Sequence, residues 1–248
     1  MPESAATGFT EIFPRALEQS PAPGESALML ERLFQHHPAD VPEFVRLSIA
    51  RPPAFTRMFV LCGHSRPLAG HLVSGAWRAH MALSDEELSA TVTKASVLQA
   101  ILGAECGDVA TALRRSHRDL CLRVLWHEVA MGRPLEVIGS EISALADGAI
   151  EYALRHATAT LAAERGLEAP AGFRFCVMAM GKLGAEELNY SSDIDLVFLY
   201  DGEYGPDGPR MGALGYAVKL AETAIKLLDD VTEDGRVFPV DTRLRPEG

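Results

Sequence analysis

The amino-acid sequence predicts an α+β protein in which an N-terminal α-helical region is followed by a small α/β core. The first observation is that apolar residues recur at helical spacing in several segments up to Arg165. The second is that two apolar runs of strand length follow, at 173–180 and 194–200. The third is a helical pattern at 211–230 that leads to a β-type run at 237–246, which gives the order strand, helix, strand.

These patterns divide the chain into three predicted regions. Residues 1–25 are rich in proline and show little periodicity, so we expect a flexible N-terminal arm with one short helix near 11–19. Residues 26–168 are predicted to form an α-helical domain. Residues 169–248 are predicted to form the α/β core.

Three helices of the middle region have recognisable ends. A Ser-Asp-Glu-Glu capping box at Ser84 predicts a helix that continues to Gly103. Amphipathic patterns predict further helices over 108–131 and 140–165, and Gly166 is a typical C-terminal stop for the second. Core packing explains the apolar stripes of these helices better than a ligand groove does.

The composition excludes several classes of function. A net charge of −11 over 248 residues argues against a nucleic-acid surface, which needs a basic face. No apolar run approaches the length of a membrane span, and the start of the chain lacks the pattern of a secretory signal. The four cysteines show no CxxC spacing. We therefore expect a soluble cytoplasmic protein with reduced thiols, acting on another protein.

A pair of carboxylates follows a glycine-rich turn between the two predicted strands. Asp193 and Asp195 are one residue apart in an extended chain, so both side chains point to the same face, with Cα atoms roughly 7 Å apart. The apolar run at 194–200 predicts a strand that is covered on both sides. Carboxylates buried there need a neutralising cation or a position at a solvent-exposed end of the strand. Oxygen ligands of this kind suit Mg²⁺ or Mn²⁺ better than zinc.

A third carboxylate, Asp241, lies in the last β-type run and is followed by Arg243 and Arg245. If this strand pairs beside the others, three carboxylates form a cluster able to hold two metal ions, and the arginines offer charge to phosphate oxygens. An Asp-x-Asp pair on its own is more often a solvated turn feature. Together with the glycine turn, the third acid and the arginines, however, the pair is better explained as part of a metal site.

The neighbouring polar residues have more than one interpretation. Lys182 is either a solvated surface lysine or a phosphate ligand. The hydroxyl of Ser192 is better suited to hydrogen bonding with phosphate, or to support of the turn, than to nucleophilic attack. The chain has no P-loop, H-E-x-x-H or G-x-S-x-G motif that would favour another chemistry.

Two motifs carry a resemblance to a known family. The residues G-K-L-G-x-x-E-L-N-Y-x-S-D-I-D-L at 181–196 and V-D-x-R-L-R-P at 240–246 resemble those of glutamate–ammonia ligase (glutamine synthetase) adenylyltransferases. These large bacterial enzymes contain two nucleotidyltransferase domains of the DNA polymerase β type. The segment E-L-N-Y-S-S-D-I-D-L is more similar to the N-terminal, deadenylylating half of these enzymes than to the C-terminal, adenylylating half.

The resemblance implies a polymerase β-type nucleotidyltransferase core with a two-ion Mg²⁺ or Mn²⁺ site. Its catalytic, metal-binding acids fall on Asp193, Asp195 and Asp241. The nucleotide- and phosphate-binding positions that it implies are Gly181, Lys182, Gly184, Ser192, Arg243 and Arg245. The family usually has a second glycine where this chain has Ala185, so the resemblance implies close backbone approach at Gly184 rather than a positive φ at the next residue.

The resemblance also implies a reaction and partners. Inorganic phosphate attacks the adenylyl-tyrosine of glutamine synthetase and releases ADP, whereas the adenylylating half uses ATP. A PII-type signal protein would act through regions outside this chain, which resembles an N-terminal piece and could be inactive alone. Two alternatives stay open: another polymerase β-type transferase, acting on a small molecule or nucleic acid, or a catalytically silent interaction module.

Overall fold

A computed structural model describes residues 3–104, 107–202 and 212–243 of the chain, so the predicted phosphate ligand Arg245 lies outside the described residues. The described part is mostly helical with one small mixed sheet, in agreement with the predicted α+β class. Within these ranges, no helix combines the length and apolar composition that a bilayer span requires.

Twelve helices and three strands are described, besides a 3-10 turn at Pro38–Asp40 and a π-helical turn at Leu72–Ala76. In chain order they are α1 (Glu3–Gln19), α2 (Pro23–His36), α3 (Val41–Ala50), α4 (Pro52–His64), α5 (Arg66–His71), α6 (Trp77–Ala82), α7 (Asp85–Ser89), α8 (Lys94–Leu102), α9 (Val109–Val129), α10 (Leu135–Arg165), β1 (Arg174–Ala179), α11 (Gly181–Gly184), β2 (Ile194–Asp201), α12 (Ala213–Asp229) and β3 (Val240–Asp241).

The contacts divide the chain into two compact units. One comprises residues 1–90 and 121–132, and the other comprises residues 91–120 and 133–248. These boundaries differ from those expected at 25 and 168. The functional division into arm, helical domain and nucleotidyltransferase core stays a prediction.

In the first unit, a helix stands where the sequence predicted a flexible arm. The apolar face of α1 packs into the aromatic core: the Phe9 ring lies 5.5 Å from that of Phe55, and the Phe13 ring lies 5.8 Å from that of Phe59. Ala16 is fully buried. This burial of apolar surface outweighs the unfavourable Pro14 inside the helix, so α1 includes the short helix expected near 11–19 and begins before it.

The first unit also buries a polar pair. Arg57 donates from Nε to His80 Nε2 at 3.1 Å and from Nη2 to the His80 carbonyl at 2.9 Å, and both residues are buried. Burial, with the charges of Arg57 and His71 acting in the same direction, lowers the pKa of His80 to about 3. His80 is therefore a neutral hydrogen-bond acceptor in the folded protein.

The chain breaks between α7 and α8, where one continuous helix was predicted. The capping box at Ser84 is present, but α7 ends at Ser89, and a second capping box at Thr93 begins α8. The buried N–H of Val92 donates to the Glu141 carboxylate at 2.9 Å. A partner distant in the sequence thus satisfies the backbone at the break, which local periodicity could not reveal.

In the second unit, the long helix α10 is the central packing element. It begins at Leu135, five residues before the predicted start, and ends as predicted at Gly166, whose φ is 59°. Helices α8 and α12 pack against it, and α12 also contacts β2 and β3. The ring of Phe173 meets that of Tyr216 edge-on at 5.0 Å and joins the start of β1 to α12.

The sheet has the order β1-β2-β3, with β2 in the centre. β1 pairs antiparallel with β2, and β3 pairs parallel with β2 after the crossover through α12, which confirms the predicted strand, helix, strand unit. The last strand is shorter than the predicted run, because only Val240 and Asp241 pair.

The expectation that β2 is covered on both sides is wrong for its second half. Ile194 and Leu196 are buried, whereas Leu199 and Tyr200 are 44% and 36% exposed. Leu199 pairs with the exposed Cys176 of β1, so the described residues leave this end of the sheet open.

Arg114 on α9 anchors the turn between α12 and β3. Its buried guanidinium donates to the carbonyls of Gly235 at 2.8 Å and Asp230 at 2.6 Å, and to that of Ala110 at 3.2 Å. The turn leads directly into the strand that carries Asp241. Arg114 therefore stabilises the approach of the chain to β3.

Glu186, just after the glycine turn, has a φ of 58° and is the one described non-glycine residue with a positive φ. Ala185, which stands where the resemblance implies a second glycine, adopts a right-handed helical conformation with φ of −91°. The left-handed conformation costs an L-residue roughly 1–2 kcal/mol because Cβ crowds the backbone. The turn therefore holds Glu186 in a strained conformation.

We expect Arg114→Ala to lower the free energy of unfolding by about 3 kcal/mol, because it removes a buried side chain together with the three hydrogen bonds that its guanidinium donates to backbone carbonyls. Urea denaturation measures the change. The control is Arg115→Ala on the same helix, which removes the exposed ion pair with Asp234 and should cost about 0.5 kcal/mol. Equal effects of the two substitutions would contradict the anchoring role.

We expect Glu186→Gly to raise the free energy of unfolding by about 0.5–1 kcal/mol, because glycine adopts a positive φ without steric cost. The control is Glu187→Gly, since the backbone of this neighbour has no positive φ and glycine should lower stability there by a similar amount. Both are measured by thermal and urea denaturation. Destabilisation by both substitutions would show that Glu186 is unstrained.

Candidate metal centre

Two neighbouring aspartates and a third that is distant in the chain meet at one end of the sheet. Asp195 and Asp241 are register partners on the parallel strands β2 and β3, so their side chains share a face. Asp193 directly precedes β2. One carboxylate oxygen from each aspartate lies within 4.8 Å of those of the other two. The structure thus brings together the three acids that the sequence singled out.

The glycine turn packs closely against this cluster. Gly181 has a φ of 55°, and a Cβ at this position would collide with Oδ2 of Asp195. The N–H of Met180 donates to the Asp195 carbonyl at 2.9 Å. At Gly184 a Cβ would lie 2.6 Å from the Ala179 carbonyl oxygen, in agreement with the expected close backbone approach. The close neighbouring atoms therefore leave no room for a side chain at either position, and only glycine fits.

Lys182 and Ser192 contact one another beside the cluster. Lys182 Nζ donates to Ser192 Oγ at 3.4 Å, and Ser192 Oγ donates to Asn189 Oδ1 at 2.8 Å. The Asn189 side chain also accepts from the N–H of Ser191 at 3.3 Å. The serine hydroxyl thus supports the loop, which was one of its two predicted roles.

Asn189 is a residue that the sequence analysis missed. Its side chain accepts hydrogen bonds from Ser191 and Ser192, and its backbone carbonyl accepts the N–H of Ser192. Asn189 thus organises the segment that leads into Asp193. An asparagine between a glycine turn and a polar run is typical of an Asx turn, so its position was the available signal.

Arg243 contacts the carboxylate cluster itself. Its guanidinium donates from Nε to both carboxylate oxygens of Asp241, at 3.0 and 3.2 Å, and from Nη2 to Oδ2 at 2.6 Å. These bonds, with the backbone N–H of Arg243, lower the pKa of Asp241 to about 2. Arg243 thus neutralises a carboxylate where the sequence predicted a phosphate ligand.

The donor chemistry of the cluster fits a hard divalent cation. All three groups offer carboxylate oxygens, and Asp193 is exposed while the other two are half-buried, so the cluster opens to solvent. Magnesium and manganese prefer such oxygen ligands, whereas zinc prefers nitrogen and sulfur. The guanidinium of Arg243 shows that this position attracts positive charge.

Several known proteins align with this chain. A relative from Xanthobacter autotrophicus, named bifunctional glutamine synthetase adenylyltransferase/adenylyl-removing enzyme, is 31% identical over 256 aligned positions, covering all of this chain and 24% of the relative. Proteins of the same name from Nitrosococcus oceani and Chromobacterium violaceum are 37% and 39% identical, over 57% and 56% of this chain. These alignments cover 15% and 16% of those relatives.

The chain therefore spans less than a quarter of the length of these curated relatives. The sequence profile of the family described as glutamate-ammonia ligase adenylyltransferase matches residues 56–248, which include the glycine turn and all three aspartates. This match covers most of the chain. The chain belongs to the glutamate-ammonia ligase adenylyltransferase family.

Proposed function

We propose that this chain supplies the site that removes AMP from adenylylated glutamine synthetase. An oxygen of inorganic phosphate attacks the phosphorus of the adenylyl-tyrosine. The new P–O bond produces ADP, the bond to the tyrosine oxygen breaks, and that oxygen takes up a proton. The observation that carries the proposal is the meeting of Asp193, Asp195 and Asp241 in a chain of this family.

We infer the direction of the reaction from the amino-acid sequence of one motif. The names of the relatives include both addition and removal of the adenylyl group. The segment E-L-N-Y-S-S-D-I-D-L resembles the deadenylylating half of the family, and this favours removal. The three-stranded sheet with its parallel crossover is compatible with a polymerase β-type nucleotidyltransferase core.

In the proposed function, the three aspartates would hold two Mg²⁺ or Mn²⁺ ions. When bound, such ions neutralise charge on the phosphoryl oxygens and on the leaving oxygen. The carboxylates of Asp195 and Asp241 come from paired strands, so their relative position is fixed by the sheet. Asp193, which is exposed, faces the solvent from which substrates arrive.

The remaining site residues bind and orient phosphate. Gly181 and Gly184 let the turn pack closely against Asp195 and Ala179, and this would keep the turn backbone beside the cation site, where the phosphate would bind. Lys182 Nζ lies next to the hydroxyl of Ser192 and would exchange this contact for a phosphate oxygen. Arg243, and Arg245 beyond the described residues, would supply further positive charge.

The proposal also includes partners. Glutamine synthetase is the protein substrate, and a PII-type signal protein is the proposed regulator through other parts of the protein. A cytoplasmic location stays a prediction. The negative net charge continues to argue against nucleic acid as substrate.

We expect Asp195→Asn to weaken Mn²⁺ binding by at least about tenfold, because an anionic ligand becomes a neutral one. Isothermal titration calorimetry measures the affinity, and ADP release from adenylylated glutamine synthetase should fall about 100-fold or more. The control is Asp201→Asn on the same strand, which removes a surface pair with Arg174 and should change neither quantity. Parental Mn²⁺ affinity in Asp195→Asn would exclude the metal site.

We expect Arg243→Gln to raise the KM for phosphate about tenfold, the equivalent of one lost charge-assisted hydrogen bond. Mn²⁺ affinity should rise at the same time, because the competing guanidinium on Asp241 is gone. Initial rates at varied phosphate and calorimetry measure the two effects, with Arg236→Gln, an exposed arginine paired with Asp229, as the control. An unchanged KM would restrict Arg243 to neutralising Asp241.

A further inference from the structure

The segment between the glycine turn and Asp193 lies against helix α10. At Gly139 of α10 a Cβ would be 3.3 Å from the Cα of Glu187 and 3.4 Å from the carbonyl oxygen of Glu186. These are backbone atoms, which cannot move aside as a flexible side chain can. The absence of a side chain at Gly139 therefore allows the two backbones to approach closely.

Ser143, one turn further along α10, binds the same segment. Its Oγ accepts the backbone N–H of Leu188 at 3.2 Å. Ser143 and Leu188 are 2% and 1% exposed, so no solvent competes for this hydrogen bond. A buried backbone N–H requires a partner, and here the helix provides it.

The docked segment is short and fixed at both ends. On the side of the glycine turn, the N–H of Glu187 donates to the Lys182 carbonyl at 2.8 Å. On the other side, Asn189 accepts from Ser191 and Ser192, immediately before Asp193. A displacement of Leu188 would therefore be transmitted through five residues to the first carboxylate of the cluster.

We propose that Gly139 and Ser143 are positioning residues of the three-carboxylate site. They touch none of the three aspartates; they fix the backbone that places Asp193 beside Asp195 and Asp241. This inference rests on the proposed function, because it takes the carboxylate cluster as a cation site. The same contacts would also exist if Gly139 and Ser143 served packing alone, so the test needs a readout that packing does not change.

The two variants are Gly139→Ala and Ser143→Ala in the 248-residue chain, with Ser140→Ala on the exposed side of the same helix as the control. Mn²⁺ affinity is measured by calorimetry at a temperature at which circular dichroism shows all proteins folded. Amide hydrogen exchange of residues 188–192 is measured without metal. Alanine favours a helix over glycine, so a role of Gly139 in helix stability alone predicts a higher melting temperature and unchanged Mn²⁺ affinity.

We expect both variants to weaken Mn²⁺ binding about tenfold and to accelerate exchange at Leu188, with Ser140→Ala unchanged in both respects. Parental Mn²⁺ affinity in both variants would overturn the positioning role, whether or not exchange accelerates. Failure of the parental chain to bind Mn²⁺ would be a different result, since it overturns the proposed function and this inference with it.

Discussion

The parallel pairing of β3 with β2 is the constraint on which the site depends, because it places Asp241 directly beside Asp195. A strand of two residues supplies few hydrogen bonds, so contacts outside the ladder maintain the pairing. The backbone N–H groups of 237 and 238 both lie 3.2 Å from the Leu228 carbonyl oxygen at the end of α12, and Arg114 holds the preceding turn. The geometry of the cluster thus depends on helix packing as much as on the sheet.

Electrostatic repulsion opposes this arrangement. Three carboxylates with oxygens within 4.8 Å of one another repel, and the repulsion is smaller when one of them is neutralised. Arg243 provides that neutralisation at Asp241. Under the proposed function the same guanidinium binds phosphate, so it exchanges one anionic partner for another. Substrate binding and a change of charge at the carboxylates would then occur together.

Local patterns predicted the strand, turn, strand order and the common face of Asp193 and Asp195, because apolar periodicity and the spacing of these two acids are properties of neighbouring residues. The approach of Asp241 was expected only on the condition that its strand pairs beside the others, as it does. Features that depend on distant partners were not predictable. Helix α1 forms because its apolar face meets an aromatic core, and the chain breaks near Ala90 where Val92 meets Glu141. The contacts of α10 with residues 186–188 likewise join residues that are distant in the sequence. Arg243 and Asp241 are only two residues apart, but the sequence pattern does not show that the guanidinium turns to this carboxylate.

The buried pair of Arg57 and His80 links folding of the first unit to proton concentration. His80 titrates near 6.5 in an unfolded chain but at about 3 in the folded one. Between these values the unfolded chain holds a proton that the folded unit does not, so acidification below about pH 6.5 progressively favours unfolding. This acid sensitivity arises in the helical unit, and it would persist whatever happens to the carboxylates of the other unit.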